Sequence, residues 1–237
     1  EQRFPTPDRI AYGTGANRYG ELALPPGPGP HPVAVVLHGG CWLSMADLSY
    51  MRPLGRELNR AGWATWTVEF NRIDEDEGAW PGILQDVALG IDHLRNLGAE
   101  QPLDLDRVVV VGHSSGGHLA LWSAARTKLP GGSAGSRPEG DPPLAVRGVI
   151  GLAPVTALED FQARSDRCGS SIVDRLLGAT PDAPGIEYAD SALDERLGVA
   201  DPHRLLPLGV PQLLVVGELD RIVPLSHGRE WRRQATL

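Results

Sequence analysis

Apolar residues along this chain fall into two patterns: short unbroken runs, and longer stretches with a repeat of three to four. Residues 33–37 are apolar throughout, as expected of a strand buried on both faces. Residues 63–70, 146–152 and 212–216 read as further strands. The strongest is 107–111, one arginine followed by four valines. Helical periodicity fills the intervals. It covers 51–61, then 81–97, where Ile83, Leu84, Val87, Ile91 and Leu94 share a face, then an alanine-rich stretch ending near Arg126. Residues 9–24 suggest one or two short strands about a glycine turn. This alternation predicts an α/β fold, a mostly parallel sheet with helices on both faces.

Breaks in the pattern mark the loops. Residues 25–32 and the Gly/Pro/Ser-rich 130–143 have no periodicity. From Pro154 to Leu205 the sequence becomes irregular, with short helical pieces between prolines and glycines. An excursion of this kind between late strands predicts a cap or lid insertion at 154–205. A chain of 237 residues, 41% hydrophobic, suits a single domain over 1–237.

Composition narrows the partners. A formal net charge of -8 argues against nucleic acid and anionic membranes. No run approaches the roughly 20 apolar residues of a membrane span. Lys128 is the sole lysine, and with 29 Gly and 21 Pro this suggests a GC-rich bacterial genome. Cys41 and Cys168 are too few and too far apart for a disulfide framework, although a single bridge stays open. A cytoplasmic location is therefore expected. The first residue is Glu1 and no signal-peptide pattern follows, so the N-terminus reads as trimmed.

Two turns carry candidate chemistry. Gly112-His113-Ser114-Ser115-Gly116 joins the four valines to the alanine-rich helix. A sharp strand-to-helix turn with glycine on each side lifts the central hydroxyl above the sheet edge, which makes Ser114 the candidate nucleophile. Ser115 is the next residue and would offer its backbone N–H. His113 reads as a packing or hydrogen-bonding residue, and His118 as a helix-face residue. The second turn is His38-Gly39-Gly40-Cys41-Trp42, directly after the 33–37 strand. Its glycines let the backbone fold back and present N–H groups to a carbonyl oxygen that gains charge in a tetrahedral transition state. Either turn alone is common. Both at strand C-termini of one sheet point to one site.

Together these segments resemble the α/β-hydrolase superfamily, and within it the small esterases and arylformamidases with an HGGxW loop, related to the hormone-sensitive-lipase-like esterases. The resemblance spans about 33–224. It implies an α/β-hydrolase fold and an oxyanion hole from Gly39, Gly40, Cys41 and Ser115. It also implies that the Gly217-x-x-Asp220-x-x-Val223-Pro224 segment holds the acid that orients a histidine base, Asp220. Glu218 is the weaker alternative. The base should follow the acid in chain order. His227 comes early, at the head of a helix, and reads as a surface residue. His93 and His203 precede the acid. The expectation is that the sequence is truncated at the C-terminus and that the base lies beyond Leu237.

These assignments predict a serine hydrolase acting on small carboxylic esters through an acyl-enzyme, with Trp42, and less so Trp80, walling an apolar substrate pocket. No cofactor and no metal is expected, and the partner is a small-molecule ester or amide. N-formylkynurenine hydrolysis is the second reading and peptide cleavage a third. A non-catalytic binding protein on the same fold is the reading from a different class.

Overall fold

The computed structural model describes residues 7, 9–164, 168–169, 171–179 and 190–235. Part of the predicted cap therefore lies outside the described residues. Seven strands form one sheet: β1 (Arg9–Ala11), β2 (Tyr19–Ala23), β3 (His31–Leu37), β4 (Ala64–Val68), β5 (Leu103–His113), β6 (Gly148–Leu152) and β7 (Gln212–Val215). Their order is β1-β2-β4-β3-β5-β6-β7. The β1–β2 and β2–β4 pairs are antiparallel, and every later pair is parallel. Flanking helices cover the sheet, as the alternating pattern predicts. α1 (Arg52–Arg60) packs on β4, and α4 (Ser115–Ala125) packs on β5 and β6.

Burial explains the sequence pattern. Val33 to Leu37 and the Val108 and Val110 side chains of β5 are fully buried at the sheet centre. All eleven residues of α4 are buried, so this helix has no polar face to display. Its small residues let it lie close to the strands. The expected 81–97 helix is two helices, α2 (Gly82–Asp92) and α3 (Leu94–Glu100), divided at His93. The His93 carbonyl accepts from both Asn96 and Leu97 N–H, a local tightening of the ladder that apolar spacing does not register. Below α4, Asp92 and Arg126 form a buried two-point ion pair at 2.7 and 3.1 Å. The same pair accepts Leu144 N–H and donates to Gly135 O, which ties the 130–143 loop to the core.

Among the described residues, the irregular region holds α5 (Leu158–Arg164), α6 (Ile172–Leu176) and α7 (Asp190–Ala200), and α8 (Leu225–Ala235) follows β7. Among the described residues, no helix is long and apolar enough to cross a membrane.

Candidate active site

Ser114 stands alone between β5 and α4, at φ 55° and ψ -119°. A non-glycine residue held there costs about 1–3 kcal/mol, so its surroundings must over-determine it. They do. Ser114 N–H donates to Leu152 O of β6 at 2.9 Å, and its carbonyl accepts from His118 N–H at 3.1 Å and Val155 N–H at 3.3 Å. The flanking glycines are required by space. A Cβ on Gly112 would lie 2.0 Å from Gly116 O, and one on Gly116 would lie 2.2 Å from His38 O. The turn is thus wedged against the end of β3. Ser114 is half-buried and its hydroxyl has no hydrogen-bond partner among the described residues. Ser115 differs: it is buried, and its Oγ accepts Trp42 N–H at 3.2 Å.

The His38–Trp42 loop sits on this turn. A Cβ on Gly39 would lie 2.6 Å from His113 O and 3.0 Å from both Ser114 Cβ and Tyr50 Oη. The backbone then runs through three successive positive φ values, 115° at Gly40, 55° at Cys41 and 58° at Trp42. Gly39 N–H donates to the Tyr50 hydroxyl. Among the described residues, the N–H groups of Gly40, Cys41 and Ser115 donate to no acceptor. Of the four predicted oxyanion residues, Gly39 therefore contributes the space, and the other three hold the unengaged donors.

Two polar clusters hold the loop, and sequence reading missed both. Tyr50 Oη lies 3.1 Å from His113 Nδ1. Burial lowers the His113 pKa, against a smaller opposing pull from the Asp220 charge. A neutral His113 accepts at Nδ1, so the phenol donates to it and accepts from Gly39, linking the two turns. The second cluster is centred on Glu69. One carboxylate oxygen lies 2.9 Å from His38 Nε2, and the other accepts Leu48 N–H at 2.9 Å. Burial would raise the Glu69 pKa. The His38 hydrogen bond and charge, Leu48 N–H and Arg72 outweigh it, and hold the carboxyl below its ordinary range. This one carboxylate clamps both ends of the loop. A lone Glu at the end of the apolar 63–70 run is the signal that could have flagged it.

Trp42 corrects an expectation. It is 1% exposed, and its indole N–H donates to His118 Nδ1 at 3.3 Å while its ring meets Phe161 edge-on. It supports the loop from below and does not line an open pocket. His118 is also buried, with Nε2 2.9 Å from Ala200 O. Burial pushes its pKa down to about 4.

Asp220 lies in the turn after β7. Its Oδ1 accepts Ile222 N–H at 2.8 Å and Val223 N–H at 3.0 Å, and Oδ2 has no partner among the described residues. Glu218 is exposed. His227 is buried, which corrects the surface reading. The reason is helical spacing: His227 and Trp231 are one turn apart and form the buried face of α8. Its Nε2 lies 3.4 Å from Asp160 Oδ2. No described imidazole hydrogen-bonds Ser114, since His38, His113 and His118 are committed to Glu69, Tyr50 and the Trp42–Ala200 pair.

The single bridge that the sequence leaves open is present. Cys41 and Cys168 form a disulfide across 127 residues of sequence, with Cα atoms 5.6 Å apart. Sequence distance gave no sign of it. The fold brings Cys168 against Cys41 of the Gly39–Trp42 loop.

Comparison with known proteins identifies the family. The BD-FAE family model matches residues 21–234. A probable carboxylic ester hydrolase, LipM, of Mycobacterium tuberculosis is 25% identical over 85% of this chain and 44% of its own length. A probable isoprenylcysteine alpha-carbonyl methylesterase, ICMEL1, of Arabidopsis thaliana is 28% identical over 47% of this chain and 23% of its own. The chain thus spans less than half the length of these curated relatives. Among solved structures, a truncated carbohydrate esterase from gut microbiota superposes with a TM-score of 0.72 at 18% identity, covering 96% of this chain and 82% of that one. At such identity the likeness concerns the fold alone. The chain belongs to the BD-FAE family and has the α/β-hydrolase fold that it shares with these esterases.

Proposed function

We propose that this protein is a serine hydrolase that cleaves small carboxylic esters through an acyl-enzyme on Ser114. One observation carries the reading. Among the described residues, the strained Ser114 presents an unengaged hydroxyl beside a loop whose Gly40 and Cys41 amides, with that of Ser115, have no acceptor. In the proposed cycle, the Ser114 oxygen attacks the ester carbonyl while an imidazole takes its proton. The three amides hold the resulting oxyanion, and removing one such donor typically costs about 100- to 1,000-fold in rate. The alcohol leaves with the proton, and water then releases the acid. Asp220 supports a relay to the base, because Oδ1 is pinned by two amides and Oδ2 is left to receive an imidazole N–H. Asp160–His227 is the alternative acid–base pair.

Hydrolysis of p-nitrophenyl acetate by the protein and by Ser114→Ala tests this. Loss of turnover in the variant, with a fluorophosphonate attached to Ser114 and not to Ser115, is the expected result. Equal rates in both proteins would leave a non-catalytic binding role as the better account. Comparing kcat/KM for N-formylkynurenine and simple esters ranks the arylformamidase reading against the carboxylesterase one. The cytoplasmic location expected from the sequence fits poorly with a disulfide, and the bridge favours an oxidising compartment.

A further inference from the structure

We propose that the Cys41–Cys168 disulfide is a positioning element of the oxyanion loop, so that turnover depends on the oxidised bridge. The inference rests on the serine-hydrolase reading above.

Cys41 is the middle of the three consecutive residues at positive φ. Its neighbours have their own restraints: Gly39 is held by Tyr50, and Trp42 by Ser115 Oγ and His118. Cys41 makes no hydrogen bond among the described residues, and its amide is one of the free donors. Among the described residues, the bond to Cys168 is the specific side-chain restraint on Cys41. Without it, a non-glycine residue in the left-handed region is drawn back toward negative φ, which reorients its amide.

Cys168 lies between α5 and α6, and these helices are joined by Val173 N–H donating to Gln162 Oε1 at 2.9 Å. Ile172, Val173 and Leu176 of α6 are buried, and Phe161 of α5 packs against Trp42. Both cysteines are half-buried, so a soluble thiol can reach the bridge. In the reduction, one thiolate of a small dithiol attacks a bridge sulfur to form a mixed disulfide. Its second thiol closes on the first and expels the protein thiolate. Two electrons and two protons pass to Cys41 and Cys168, and the dithiol leaves as a cyclic disulfide. The Ser114 turn is held by β6 and α4 contacts that include neither cysteine, so reduction reaches the donors and spares the nucleophile.

The test compares the protein before and after dithiothreitol treatment, with p-nitrophenyl acetate as substrate and active sites counted by fluorophosphonate titration. We expect kcat per titrated site to fall by about tenfold or more, with KM little changed, because a displaced amide is lost mainly from the transition state. Reoxidation with oxidised glutathione should restore it. Cys168→Ser, which leaves Cys41 in place, should match the reduced protein and no longer respond to dithiothreitol. Counting sites separates this from unfolding, which lowers the number of sites and not the rate per site. Unchanged kcat per site on reduction overturns the positioning role alone, as do two free thiols titrated in the untreated native protein. Failure to find Ser114-dependent turnover in the oxidised protein overturns the hydrolase reading, and this inference with it.

Discussion

β3 and β7 are parallel strands of the same sheet, yet their surroundings are opposite. Val33 to Leu37 of β3 are fully buried between β4 and β5, whereas Leu213 and Val215 of β7 are more than half exposed at the sheet edge. Their loops differ in the same sense. After β3 the chain is packed backbone against backbone, with Gly39 on His113 and Gly116 on His38. After β7, the hydrogen bonds of Asp220 among the described residues are local: its carboxylate accepts from amides two and three residues on, and its own N–H donates to Gly217 O. The central loop is set by close backbone packing together with long-range hydrogen bonds to Tyr50, Glu69 and Ser115, and the edge loop by local hydrogen bonds alone among the described residues. In the proposed mechanism the attack and its oxyanion fall to the loops at the centre, and orientation of the base falls to the loop after β7.

Ser114→Ala should produce the largest effect. Ester turnover is expected to fall by at least about 1,000-fold, with the fold intact, since triad nucleophiles act as part of a unit. Ser115→Ala should cost far less, because its hydroxyl only accepts one amide of the loop. The reverse ranking would move the nucleophile off the strained turn. Asp220→Asn comes next, at about 100- to 10,000-fold in kcat, while Asp160→Asn should stay within a few-fold. If Asp160→Asn took the larger loss, the relay would run through His227 and the division between centre and edge would fail.

The same contrast accounts for what could be read from the sequence. β3, β5 and the two glycine-flanked turns are local patterns, where spacing alone implies a strand end followed by a tight turn. Ser114, Gly40 and Ser115 were therefore legible together with the sheet that carries them. Tyr50, Glu69 and Cys168 were not, because each acts on the loop through a contact that only the packed fold creates. Tyr50 reaches Gly39 from the segment after the loop, and Cys168 reaches Cys41 across 127 residues. The burial of His227 was half visible: a histidine and a tryptophan one turn apart in an Arg-rich helix mark an inward face. Its place at the helix start points to the surface and its spacing from Trp231 points inward, and the packing follows the spacing.

Stability should separate centre from periphery more gently. In Gly116→Ala the new Cβ would meet His38 O at 2.2 Å and Leu37 O at 2.5 Å, and a backbone carbonyl of a central strand cannot step aside. A loss of about 3 kcal/mol or more is expected by urea denaturation. Gly131→Ala, with nothing within 4 Å of the added carbon, should change stability by no more than about 0.5 kcal/mol. Similar losses at both positions would mean that the turn relaxes more freely than its packing implies.

The smallest expected effect lies beneath the site, where His118 and Asp201 meet the end of α7. Burial pushes the His118 pKa down to about 4, so the fold prefers its neutral form. Its contribution is complete above its unfolded value of about 6.5 and is lost as pH falls through about 4. Asp201 behaves oppositely. Burial raises its carboxyl to about 6, against the Leu158 and His203 N–H groups that lower it, so its contribution is present below about 3.8 and is lost as pH rises through about 6. Acidification from pH 6.5 to 4 therefore removes stability at His118 and restores some at Asp201. His118→Gln keeps a donor for Ala200 O and an acceptor for the Trp42 indole, and its Tm should fall less over this interval than that of the parent protein. Asp201→Asn should fall more, having lost the compensating group. Three parallel Tm profiles would show that neither group titrates differently in the folded and unfolded chain, and that the support under Trp42 is insensitive to charge.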